Sequence, residues 1–117
     1  MVATIGREEL QSKLDRGDGF FLVETLSEEQ YRHTHLPGAV NLPPDAVRES
    51  APELLPNKDA DIVVYCAKPV GPGSEEAARE LADMGYENVR DYEGGKEDWV
   101  EAGLPTEGES HQRQAGL

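Results

Sequence analysis

The stretch that most constrains this chain is Ile62 to Ser74. An apolar run, Ile62-Val63-Val64-Tyr65, delivers Cys66; then come Ala67, Lys68, Pro69, Val70, Gly71, Pro72, Gly73 and Ser74, and a helical pattern starts at Glu75. A short continuous apolar block bounded by Gly and Pro reads as a strand covered on both faces, so the segment is strand, loop, helix. At such a junction the unpaired N–H groups of the loop and first helical turn face inward and the helix dipole adds to their field, which makes an anion site. Cys66, the single cysteine of the chain, stands there. That field favours a thiolate, the nucleophilic form. The competing reading is a small buried apolar residue closing a strand.

The remaining pattern supplies partners for that strand. Arg7 to Arg16 spaces Leu10 and Leu14 one turn apart and ends at Gly17, as a covering helix does. Phe20-Phe21-Leu22-Val23 is a second buried-strand run and closes on a carboxylate, Glu24. Ser27 with Gln30 has the capping-box form, so a helix is expected from Glu28, with Tyr31 turned to the core. Val40-Asn41-Leu42 is a short apolar segment, and Asp45 to Leu55 is expected to be a helix interrupted at Pro52. Glu75 to Met84 places Ala77, Ala78, Leu81 and Ala82 on one face, and Gly85 ends it. Asn88 to Tyr92 is a weak strand, and Lys96 to Ala102 a last helix with Trp99 and Val100 inward. From Thr106 on no apolar period remains. Strands alternating with helices imply an α/β domain with a mainly parallel sheet, whose chemistry sits at the carboxyl ends of strands, where both Glu24 and Cys66 lie.

Charge narrows the functions. With 24 acidic and 11 basic residues and a net charge of -13, the chain repels polyanions, and its basic residues form no run, so neither nucleic acid nor an anionic membrane is an expected partner. One cysteine allows no internal disulfide, and no stretch has the apolar length of a signal peptide or a membrane span, so a reducing cytoplasm is the expected location.

Four segments in order identify a family. His35-Leu36-Pro37-Gly38-Ala39-Val40-Asn41-Leu42-Pro43, Val64-Tyr65-Cys66 with Ala77-Ala78, Leu81 with Gly85 to Val89, and Gly94-Gly95-Lys96 through Trp99 to Gly103-Leu104-Pro105 together resemble a single-domain rhodanese, a sulfurtransferase of the rhodanese-like superfamily. The resemblance implies a rhodanese-like domain over residues 1–107, a flexible tail over 108–117, and a five-stranded mainly parallel sheet flanked by helices on both faces. It implies that Cys66 takes a sulfane sulfur from a donor such as thiosulfate or a persulfide and passes it to a thiophilic acceptor. Ala67 to Ser74 would be the substrate-binding loop, with Glu24 and His35 in supporting places. No cofactor or metal is implied. The partners implied are a small-molecule donor and a thiol acceptor, either of which a partner protein could carry, with the chain a monomer or weak homodimer.

The chain also departs from that family. Glu24-Thr25-Leu26 stands where Asp-Val-Arg is usual, and Gln30 where an acid is usual, so a common ion pair has lost both partners, a change nearer to neutral than the loss of one. The loop after Cys66 is longer than the common pattern and has no Arg, Lys68 being its one cation, and Pro69 and Pro72 supply no N–H. Without the bidentate Arg that holds a phosphate or arsenate, a cysteine-dependent phosphatase or arsenate reductase is disfavoured. Thiosulfate turnover is expected to be weak for the same reason. The alternative outside enzymology is a non-catalytic regulatory or docking module.

Overall fold

A computed structural model of the chain describes residues 2–67 and 73–109. Its elements in order are β1 (Ala3–Thr4), α1 (Arg7–Arg16), β2 (Phe21–Glu24), α2 (Glu28–His33), β3 (Val40–Asn41), a 3-10 turn (Pro44–Ala46), α3 (Val47–Leu54), β4 (Ile62–Tyr65), α4 (Gly73–Asp83), β5 (Val89–Asp91) and α5 (Gly95–Glu101). The strands form one sheet in the order β1-β5-β4-β2-β3, and every neighbouring pair is parallel. The expected α/β architecture with five parallel strands is therefore the observed one.

Side-chain alternation along β4 divides the core. Ile62 and Val64 face one layer, where Val47, Ala51 and Leu55 from α3 and its end meet Ala77, Ala78 and Leu81 of α4. Val63 and Tyr65 face the other, with Leu10 of α1 and Trp99 of α5. The alanines of α4 let that helix lie close to the sheet. Because all of β4 is buried, it carries no polar alternation, as a central parallel strand should not.

The local signals hold at α1 and α2. Gly17 caps α1 with φ 71°, and Ser27 and Gln30 form the reciprocal capping box at α2. Three expectations differ from the structure. Pro52 does not interrupt α3; the break falls before it, at Ala46, and Leu55 N–H still reaches Ala51 O at 2.7 Å, so the proline removes one bond without ending the helix. Val100 is 49% exposed, because the tight seven-residue α5 can turn only Trp99 fully inward. Ala82 is exposed as well, one position round the helix from Leu81. The strand missed in the sequence is β1, whose two exposed residues are held by pairing with β5 and carry no apolar signal.

Residues 110–117, most of the tail expected over 108–117, lie outside the described residues, as do Lys68, Pro69, Val70, Gly71 and Pro72 of the loop. Just before the tail, Glu107 exchanges backbone hydrogen bonds with His35 at 2.9 Å each way. Among the described residues no helix is long and apolar enough to cross a membrane.

Candidate active site

Parallel register sets Glu24 beside Tyr65 at the carboxyl ends of β2 and β4. The Tyr65 hydroxyl donates to Glu24 Oε1 at 2.7 Å and accepts the Leu36 N–H at 3.1 Å. Burial, reinforced by the Glu24 charge, pushes the Tyr65 hydroxyl far above its usual titration range, so it stays a donor. Glu24 is completely buried, and its other oxygen lies 3.1 Å from Lys96 Nζ. The same ammonium also donates to the Gln30 carbonyl at 3.3 Å. A carboxylate with no exposure is tolerated here because a cation and a hydroxyl both satisfy it.

The next residue after Tyr65 is Cys66, 6% exposed. Its place is fixed from the α5 side. Lys96 N–H donates to Cys66 O at 2.8 Å and Glu97 N–H to Ala67 O at 2.9 Å. Such an approach requires glycine before Lys96: Gly95 has φ +71°, and a β-carbon there would sit 2.7 Å from Cys66 O. On the opposite side the first residue of α4 closes in, since a β-carbon on Gly73 would be 4.0 Å from Cys66 Cβ and 3.9 Å from Thr25. Thus strand end, α4 start and α5 start converge on one cysteine. Ser74, in the first turn of α4, is buried.

Asp91, at the end of β5, is a buried carboxylate whose Oδ1 has no hydrogen-bond partner among the described residues. Burial raises its pKa above the ordinary carboxylate value; a Ser74 hydrogen bond opposes that, and Glu93 and Glu75 add to it. The neighbouring Glu75 and Glu76 open α4 with the acids its dipole favours.

Of the sequence-predicted residues, Cys66, Ala67, Gly73, Ser74 and Glu24 come together. His35 takes a different place. Its ring stacks on Tyr31 at 4.0 Å, Nδ1 is 2.7 Å from Tyr31 O and Nε2 is 3.7 Å from Glu107 Oε1. These contacts fasten the turn after α2 to the C-terminal segment. Lys96 and Asp91 were missed by sequence reasoning. For Lys96 a signal existed: a lysine in the first turn of a helix opposes the dipole and so invites a search for a carboxylate partner. Beside Ala67 opens a cleft of about 730 Å3, lined by Leu26, Gln30, Arg32, His33 and Lys96. Leu26 and Gln30, the two uncharged departures, thus line the same cleft as Lys96.

A family model described as Rhodanese-like domain matches residues 6–102. The chain is 39% identical over 84 residues to the adenylyltransferase and sulfurtransferase UBA4 of Candida albicans, a match spanning 67% of this chain and 19% of that protein. It is 36% identical over 75 residues to the thiosulfate sulfurtransferase PspE of Escherichia coli, spanning 64% of this chain and 70% of that one. It spans 51% and 44% of the length of two further curated relatives. Among solved structures, the rhodanese-like domain of the Alr3790 protein from Anabaena sp. superposes with a TM-score of 0.85 at 29% identity, covering 97% of this chain and 84% of that one.

Proposed function

The chain belongs to the rhodanese-like domain family, and from that premise we propose that it is a sulfurtransferase in which Cys66 carries the sulfur. The observation that supports this most is the convergence on Cys66: it follows the central strand directly, its carbonyl is pinned by Lys96 N–H at 2.8 Å, and a β-carbon on Gly73, the first residue of α4, would lie 4.0 Å from its own. N–H groups at a helix start stabilise sulfur anions without needing a metal or a second nucleophile. In the first half-reaction the Cys66 thiolate attacks the outer sulfur of thiosulfate. The new Sγ–S bond forms as the bond to the sulfonate sulfur breaks, sulfite leaves with its electron pair, and a Cys66 persulfide remains. In the second half-reaction a thiophilic acceptor attacks the outer sulfur and Cys66 departs as thiolate. Relatives named for sulfur transfer, the yeast and Escherichia coli proteins above, support the same reading.

A net charge of -13 and an arginine-free loop disfavour a dianionic donor, so a low-molecular-weight persulfide is the preferred one and thiosulfate activity is weak, rising with ionic strength as repulsion is screened. Intact-mass spectrometry after incubation with thiosulfate, and separately with glutathione persulfide, tests the reading. The expected result is a gain of about 32 Da, one sulfur, on Cys66 that cyanide or a reductant removes. No adduct from either donor would overturn the enzyme and favour a docking module that has kept the fold.

A further inference from the structure

Asp91 is the side chain that the site leaves least satisfied. It closes β5, is 5% exposed, and keeps a buried Oδ1 with no hydrogen-bond partner among the described residues. The sheet does not call for an acid there: the residues in register on either side, Thr4 of β1 and Val64 of β4, are uncharged. A buried carboxylate that packing does not require, left one bond short, points to a role exerted on its neighbours. Val64 faces the α4 layer, and its register puts Asp91 on the same face, under the first turn of α4, where buried Ser74 is its hydrogen-bond partner. Ser74 follows Gly73, on which a β-carbon would lie 4.0 Å from Cys66 Cβ. One side chain therefore joins Asp91 to the helix start that abuts the cysteine. The charged groups that act on Asp91 are Glu75 of α4 and Glu93 beyond β5, and both oppose its ionisation.

We propose that Asp91 is a further positioning residue for sulfur transfer, acting through Ser74 to hold the head of α4 against Cys66. The inference rests on the sulfur-transfer reading and adds to it the residue that fixes the helix start. N–H groups of a first helical turn stabilise a thiolate or persulfide anion only at hydrogen-bond range, so a helix head that drifts from the cysteine loses much of that effect. Asp91 pins the head from the sheet side, on a strand paired with β4, which Cys66 follows directly. The anchor has the wrong sign of charge for a sulfur anion, but burial, with Glu93 and Glu75, defers that charge to higher pH than an exposed carboxylate would show.

Iodoacetamide alkylation of Cys66 against pH, followed by intact mass, reads the thiolate without any sulfur donor. Asp91→Asn keeps an acceptor for Ser74 and removes the charge, whereas Asp91→Ala removes both. The asparagine variant is expected to react at least as fast as wild type, with its inflection at lower pH because a like charge is gone. Asp91→Ala is expected to react about fivefold more slowly than Asp91→Asn at neutral pH, the order of one hydrogen bond, and that gap closes in a Ser74→Ala background. Asp83→Asn makes the same charge change at the exposed far end of α4 and keeps the wild-type rate. Urea midpoints establish that each variant is folded where its reactivity is read; should Asp91→Ala not fold, Ser74→Ala alone is expected to fall about fivefold below wild type, and an unchanged rate there overturns the proposal. Equal rates in Asp91→Asn and Asp91→Ala, a gap that survives Ser74→Ala, an inflection raised in Asp91→Asn, or a matching shift in Asp83→Asn would overturn it as well. Absence of a persulfide on wild-type Cys66 from any donor overturns the sulfur-transfer reading itself, whereas a persulfide on wild type with no gap between Asp91→Asn and Asp91→Ala overturns only the role of Asp91.

Discussion

Lys96 Nζ lies 3.1 Å from the carboxylate of Glu24, a residue with no solvent exposure, while the backbone N–H of the same lysine holds Cys66 O at 2.8 Å. One residue therefore both neutralises the buried acid and anchors the cysteine. Lys96→Met is expected to cost about 3–5 kcal/mol, because it strands a buried charge, whereas Glu24→Gln combined with Lys96→Met recovers most of that loss. Urea unfolding of Lys96→Met, of Glu24→Gln and of the double variant measures it. Additive losses would mean the two groups do not act as a pair.

Tyr65→Phe removes one hydroxyl from two buried partners, Leu36 N–H and Glu24 Oε1. Each orphaned group costs about 1–3 kcal/mol, so a fall of at least 2 kcal/mol is expected, read from the denaturant midpoint at constant m. A loss under about 0.5 kcal/mol, the level of an ordinary surface change, would show that water replaces the hydroxyl.

At Gly95 the expected effect falls on geometry as well as stability. Alanine there meets Cys66 O at 2.7 Å and must hold φ +71°. The left-handed conformation alone costs about 1–2 kcal/mol, and relieving the clash displaces the cysteine. Gly95→Ala should lower persulfide formation, followed by mass, by more than the unfolded fraction accounts for. Gly103→Ala, with φ +76° and nothing within 4 Å of its β-carbon, carries the strain without the clash and separates the two effects.

Asp91 makes stability depend on pH in the less common direction. Burial raises its folded pKa above the ordinary carboxylate value, so between the unfolded and folded values the folded state holds a proton that the unfolded state has released. Stability is full below the unfolded value and declines as pH rises from there through the folded value. Asp91→Asn should flatten this decline across mildly acidic pH, as seen in unfolding midpoints at a series of pH values. A variant as pH-dependent as wild type would place the titration elsewhere.

The capping box at Ser27 is expected to contribute about 1 kcal/mol, so Ser27→Ala lowers the thermal midpoint by a few degrees without changing turnover. A much larger effect on activity than on stability would give α2 a part in the chemistry through its cap.

The elements set by local chemistry were legible in the sequence: β2 and β4 as continuous apolar runs, α1 by its terminal Gly17, α2 by Ser27 and Gln30. What was not legible depended on distance along the chain. Lys96 and Glu24 are far apart in sequence, and only the sheet register and the α5 docking show that one neutralises the other. Asp91 reads as part of a weak strand until β4 and α4 enclose it. His35 stands in a motif segment, yet its ring is spent on Tyr31 and Glu107. Pro52 misled because the missing proline N–H removes a single bond from the ladder while α3 runs on past it, Leu55 N–H still reaching Ala51 O.

β4 has a hydrogen-bonded neighbour on each side, while the outermost strands β1 and β3 are two residues long. Amides in such a central strand become accessible to exchange only when the whole domain opens, whereas short margins fray alone. Cys66 is thus tethered to the slowest-breathing part of the molecule. The rate at which Val63, Val64 and Tyr65 take up deuterium reports global unfolding, and any ligand that tightens the cleft will slow those amides only by raising the stability of the entire chain.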